Sequence, residues 1–320
     1  MVNDLGKIMI ILPPFGVKGF LRLQTINKFS GKCRIDTGWF PNSVLFEGMN
    51  RMGGYSDYFN YAQVGTNNTT PQQTDTGLLG WHAGTNTIME NFRGAAASPP
   101  YYGYRQKRFR FGAGTVAANL SEAGVGWGST GATLWNRALI VDLLGNPTTV
   151  TPLADELLDL TAQIRYYPPL VDVTGVKTIG GENFNYLVRA AEVTNSDWWG
   201  NGIGTVVQHS CAYTSDWQVY DGEPGTLTQN PSGVAAAIDF TNGVSSNAYS
   251  NNSYTRTMNF NCGPNGWNAP GLLRTLRFRT TAGSYQIRLG KVSDDSPLNK
   301  TSAKVIDGQF QVSWSEYVVP

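Results

Sequence analysis

A chain of 320 residues with 41% apolar content is long enough to bury one large β domain or two smaller ones. Its 24 Lys plus Arg stand against 23 Asp plus Glu, so no global field exists to hold nucleic acid or an anionic membrane, and protein or sugar partners are expected. Charged residues make up only 15%, whereas 37 glycines, 16 prolines and 12% aromatics form the composition of a turn-rich β protein.

At the start, Lys7-Ile8-Met9-Ile10-Ile11-Leu12 is apolar and ends in Pro13-Pro14. It is too short for a secretion signal core and reads as a strand or a docking arm within residues 1–36. No run approaches the roughly 18 apolar residues of a membrane span, so no membrane insertion is expected. The stretch Arg105-Gln106-Lys107-Arg108-Phe109-Arg110 interleaves cations with aromatics; it is short, and a charged strand edge that discourages stray pairing explains it better than a nucleic-acid face. Leu134 to Asp142 is mostly apolar and closes in Gly145-Asn146-Pro147, after which Thr148-Thr149-Val150-Thr151 begins a second β-favouring stretch. Pro152 to Leu158 allows one helical turn at most. From Leu158 to Tyr166, Leu158, Leu160, Ala162, Ile164 and Tyr166 alternate with Asp159, Thr161, Gln163 and Arg165, the pattern of a strand with one wet face.

Between about 191 and 270 the composition shifts to Asn, Ser, Gly and Trp, which predicts long ordered loops on a β scaffold, since a disordered tract would not carry so many rings. Three strands follow near the C-terminus. Leu276 and Phe278 alternate with Arg277 and Arg279, then Tyr285, Ile287 and Leu289 with Gln286 and Arg288, then Phe310, Val312 and Trp314 with Gln311 and Ser313. No internal repeat of fixed period is present, so nothing points to a propeller or solenoid. The expected fold is all-β: an antiparallel β-sandwich, jelly-roll-like, with long ordered loops and little helix. Its expected divisions are an arm over 1–36, a sandwich core over 37–190 and a loop-rich β region over 191–320.

Chemical motifs are weak. Gly112-Ala113-Gly114-Thr115-Val116-Ala117 matches G-x-G-x-x-A, yet the text after it runs into glycines instead of the helix that would hold a pyrophosphate. His82 and His209 offer little material for acid/base or metal chemistry, and no G-x-S-x-G elbow occurs. Adjacent acids such as Asp155 with Glu156, or Asp294 with Asp295, point in different directions and read as solvated turn residues more readily than as glycosidase carboxylates. Cys33, Cys211 and Cys262 lie too far apart for a disulfide framework or zinc cluster and are expected as buried free thiols. No catalytic residue, metal or cofactor is expected. One cluster stands out: Trp198, Trp199, Tyr213, Trp217 and Tyr220 read either as rings that stack on sugar or anchor an interface, or as core packing.

Several segments resemble those of tailed-bacteriophage virion proteins, the tail fibre and tail-associated structural proteins. They are Gly38-Trp39-Phe40-Pro41-Asn42-Ser43-Val44-Leu45, Gly48-Met49-Asn50-Arg51-Met52-Gly53, Val64-Gly65-Thr66 and Asp75-Thr76-Gly77-Leu78. The likeness continues in Asn119-Leu120-Ser121-Glu122-Ala123-Gly124-Val125-Gly126, Arg137-Ala138-Leu139-Ile140, Gly145-Asn146-Pro147, Asp155-Glu156-Leu157-Leu158-Asp159, Tyr285-Gln286-Ile287 and Pro297-Leu298-Asn299-Lys300-Thr301. It covers about two thirds of the chain, departs at Met49-Asn50 and leaves 191–270 unmatched. The resemblance implies a non-enzymatic virion part made in the bacterial cytoplasm, a homo-oligomer that assembles with other virion proteins and serves host attachment at baseplate, collar or fibre. A receptor-binding module for host surface glycan and a head decoration protein are the alternatives.

Overall fold

The computed structural model describes residues 3–199, 217–237, 244–263, 273–280, 283–302 and 304–318. The all-β expectation holds: among the described residues, twenty-one strands in mainly antiparallel sheets accompany two short helices. The chain forms two compact units, and neither is contiguous. The first takes Val17–Arg93, Tyr104–Arg165 and Glu316–Pro320, the second Met1–Gly16, Gly94–Gly103 and Tyr166–Ser315. The expected divisions at 36 and 190 therefore do not match these units. Position 36 ends a strand of the first unit and 190 lies inside a strand of the second.

The first strand, β1 (Asn3–Ile11), belongs to the second unit. The first unit then contains β2 (Phe15–Asn27), β3 (Cys33–Asp36), β4 (Phe40–Pro41), β5 (Ser43–Val44), α1 (Phe46–Gly54), β6 (Tyr61–Gly65), β7 (Trp81–Thr85), β8 (Ile88–Ala95), β9 (Gly103–Phe111), β10 (Glu122–Gly126), β11 (Leu134–Leu139) and β12 (Glu156–Tyr167). One of its sheets runs β2-β12-β9-β8, with β3 and β4 also on β2; the other runs β5-β11-β10-β6-β7. In β2 the burial alternates residue by residue, with Val17, Leu21 and Leu23 fully buried, so this segment is a core strand and not part of an arm. Helix α1 is one of the two helices of an otherwise β-rich chain. Its glycines lower helix propensity, but a Cβ at Gly48 would run into the backbone of Trp135, so glycine lets the helix lie directly on β11. Pro152 to Leu158 forms only a turn before β12.

Strand β12 has no wet face. Asp159 is fully buried, Thr161 and Gln163 nearly so, because β12 is flanked on both sides and the basic stretch of β9 covers its polar residues. Arg110 donates to both Asp159 carboxylate oxygens at 2.7 Å and Arg108 to one at 3.1 Å. Strand β9 sits between β12 and β8, so these arginines are interior ion-pair donors and not an edge that repels strands.

The second unit continues with β13 (Val173–Ile179), β14 (Glu182–Ala191), α2 (Ser196–Trp199), β15 (Trp217–Tyr220), β16 (Ala235–Ala237), β17 (Val244–Ser246), β18 (Thr255–Cys262), β19 (Thr275–Thr280), β20 (Gly283–Lys291) and β21 (Lys304–Glu316). An antiparallel sheet runs β13-β14-β20-β19-β15-β16. Facing it, β17, β18 and β21 pair in turn, and β1 adds to β21 in parallel, with Ile8 opposite Gly308 and Ile10 opposite Phe310. The N-terminal segment is thus built into its own unit, with Ile8 and Ile10 buried. Between the two sheets the rings form a stack: Phe278 lies 4.5 Å from Phe310, Phe310 4.9 Å from Phe260, and Trp217 5.1 Å from both Phe278 and Phe310. Burial of such rings is a main source of stability in a two-sheet core.

Candidate functional site

The aromatic cluster singled out in the sequence lies mostly in the interior once folded. Trp199 and Trp217 are fully buried and Tyr220 is 6% exposed, so none presents a face on which a sugar could stack; they pack the core. Trp199 donates its indole N–H to the Ala191 carbonyl at 3.1 Å and lies 5.7 Å from Tyr285, and Tyr220 donates its hydroxyl to Gln218 Oε1 at 2.9 Å. Tyr213 lies outside the described residues, as do His209 and Cys211. Trp198 alone is half-buried, with the Arg279 guanidinium 4.7 Å over its ring. Arg279 in turn grips the Glu192 carboxylate at 2.6 and 2.8 Å, while Ser284 donates to it at 3.1 Å and Arg277 approaches to 3.8 Å. Glu192 holds a left-handed φ of 49°, a conformation that costs a non-glycine residue about 1 kcal/mol or more and persists because these donors fix its carboxylate. Two guanidiniums on one carboxylate make a closed structural knot.

The polar faces of β19 and β20 are covered as well. Gln286, fully buried, accepts the Gly225 N–H at 2.7 Å and donates to the Gly225 and Thr226 carbonyls at 3.1 Å. Arg277 donates to Asn230 Oδ1 at 2.9 Å, Arg189 to the Gly225 carbonyl at 2.9 Å and Thr275 to the Gly222 carbonyl at 2.7 Å. Together they fasten the 221–232 loop onto the sheet.

In the first unit a charged node does the equivalent work. Arg137 and Glu122 are both fully buried and meet at 2.7 Å. Arg137 also donates to Asp75 at 2.7 Å and to the Thr69 carbonyl at 2.9 Å, while Glu122 accepts the Gly80 N–H at 2.6 Å and the Leu79 N–H at 3.3 Å. The 66–80 loop is thereby pinned to β10 and β11. Nearby in the chain, the buried Lys107 ammonium donates to the Phe59 carbonyl at 2.7 Å and to Asn60 Oδ1 at 2.9 Å, and burial, with the neighbouring Arg105 charge, lowers its pKa to about 8.

The remaining motifs fall to structural roles. Gly112 to Ala117 is a turn, Asp155 bonds the Asn27 amide, Glu156 pairs with Arg34, and Asp295 pairs with Arg288. Cys33 is exposed, not buried as expected, because β3 is a short strand at a sheet margin; the side chain of Cys262 lies outside the described residues. Among the described residues no group of three or more His, Cys, Asp and Glu could hold a metal ion.

A concavity formed by described residues of the second unit lies at the turn between β13 and β14. It has a volume of about 540 Å³, within the range of small-ligand sites. Ile179, Phe184 and Leu298 form its apolar floor, with Pro297 beside them; Glu182, Ser296, Asn299, Lys291 and Lys304 form its polar walls. Lys291 pairs with Glu182 at 2.6 Å, so those charges cancel. Lys304 donates to the Asn299 carbonyl at 2.9 Å and makes no ion pair among the described residues, which leaves the lining residues with one net positive charge. Sequence reading missed this site, because its walls come from three separated stretches, and the resembling segment among them, Pro297-Leu298-Asn299-Lys300-Thr301, carries no ligand chemistry by itself. The only local signal was the Gly180-Gly181 turn, whose glycines take left-handed φ values of 61° and 83°. No protein-family model matches the chain, nor does any curated protein or solved structure.

Proposed function

We propose that the chain is a structural component of a tailed-phage virion, tail-associated at baseplate, collar or fibre, acting in assembly and host attachment. The observation that carries this reading is where the resembling segments go. Asp75 of one, Glu122 of a second and Arg137 of a third, spread over more than sixty residues, converge on a single buried ion-pair node, and Gly48 of a fourth seats α1 on β11 next to it. These four resembling segments therefore build one packing unit, as expected of a shared scaffold. Durable sheets with their arginines committed to internal carboxylates and amides suit a part that must persist outside the cell.

The test is fractionation of purified phage particles into tailless heads and tails, with mass spectrometry of each. The chain is expected in tails. Recovery in heads would replace this reading with head decoration, and absence from both would overturn the virion assignment.

A further inference from the structure

The 540 Å³ pocket of the second unit has a composition that selects its ligand. Its one unbalanced charge is the Lys304 ammonium, which calls for a single anionic group. A phosphate dianion fits poorly, because it would meet the Glu182 carboxylate and the Asn299 carbonyl on the same walls. Those acceptors, with the Ser296 hydroxyl, call instead for hydroxyl donors on the ligand. Phe184 and Leu298 are buried beneath these groups, so the polar walls, and not stacking on the floor, choose the ligand. We infer that this pocket binds an acidic sugar residue of the hexuronate type, with Lys304 as partner of its carboxylate and Glu182, Ser296 and Asn299 as partners of its hydroxyls.

This rests on the reading of host attachment and names the chemistry of what is attached to. The pocket walls are pre-formed: the Gly180-Gly181 turn fixes one side, the Lys291–Glu182 ion pair a second, and the Leu273–Leu298 bridge holds the third against the sheet. Such pre-organisation lowers the ordering cost of binding.

The experiment is titration of the full chain, free of particles, with sodium glucuronate, followed by calorimetry or ligand-observed NMR, with glucose and acetate as comparison probes. Glucuronate is expected to bind at least tenfold more tightly than either. Lys304→Gln should weaken it about tenfold while Lys304→Arg retains it, and Glu182→Gln, which removes a hydroxyl acceptor and the ion pair that holds one wall, should weaken it several-fold. Retention with Lys304→Arg shows that the loss with Lys304→Gln does not come from misfolding. Absence of glucuronate binding, indifference to Lys304→Gln, or equal binding of acetate would each overturn the inference. Because no particle is needed, its outcome is separate from the head-and-tail fractionation: a tail location without glucuronate binding would sink this inference alone.

Discussion

Two loops, one in each unit, are held down in opposite ways. The 66–80 loop is fastened by full charges, Arg137 against Glu122 and Asp75, in a site closed to water. The buried side of the 221–232 loop is fastened by neutral groups, the Gln286 amide and backbone carbonyls, with Arg277 and Arg189 donating to uncharged acceptors, and full charges enter only at its exposed margin, where Glu223 meets Arg288 and Arg274. A buried ion pair derives its hold from mutual compensation: each partner is costly once the other is gone, while the pair as a whole contributes little beyond what an apolar pair would. An amide that meets backbone on both its donor and acceptor sides contributes modestly, and its loss is modest too.

The largest expected effect tests the first half of that contrast. Glu122→Leu leaves the buried Arg137 guanidinium with Asp75 as its one remaining carboxylate and should lower the unfolding free energy by about 3 kcal/mol, whereas Glu122→Leu combined with Arg137→Met should recover part of it. Urea unfolding followed by tryptophan fluorescence reads both. A double variant no better than the single one would mean that the loop contacts, and not the charges, matter. Next comes Lys107, a buried ammonium held only by neutral acceptors. Its native pKa of about 8 lies below the ordinary 10.5, so between those values the unfolded chain binds more protons, and stability should rise with pH across that window. The rise attributable to this group is about 3 kcal/mol, and it should vanish in Lys107→Met when the two proteins are compared at pH 7 and pH 11. Parallel pH profiles would show that the native ammonium titrates normally. The smallest effect belongs to the amide. Gln286→Leu should cost about 1–3 kcal/mol and speed proteolysis within 221–232, and Gln286→Glu should cost more, since a carboxylate would face two carbonyl oxygens. Equal costs for the two would argue that shape alone seats the loop.

The contrast also explains what could be read in the sequence. The alternation at Leu158–Tyr166, Leu276–Arg279, Tyr285–Leu289 and Phe310–Trp314 located β12, β19, β20 and β21, because period two is a local property. What covers the polar side of each strand is not local. Asp159 finds Arg108 and Arg110 about fifty residues away and Gln286 finds Gly225 about sixty away, so positions that alternate like wet faces are in fact sealed. Helix α1 was hidden for a related reason: its glycines signal a turn in isolation and acquire their meaning only against Trp135. Of the expected site, the rings were visible but their burial was not. The Lys304 pocket could not be assembled from the sequence, because its walls lie more than a hundred residues apart in the chain.

The parallel pairing of β1 with β21 has a consequence for the order of events in synthesis. Asn3 lies opposite Lys304, so these partners are separated by some three hundred residues of chain. The sheet of the second unit cannot be finished while the ribosome is still making the first, and the opening strand must wait, with Ile8 and Ile10 unburied, until β21 emerges. Contacts so distant along the chain slow folding and expose an unpaired strand to neighbours of the same kind. Folding of this unit should therefore be completed late, only once residues 304–316 have been made, and be sensitive to crowding among nascent chains, which makes the rate of synthesis a determinant of how much correctly built protein is produced.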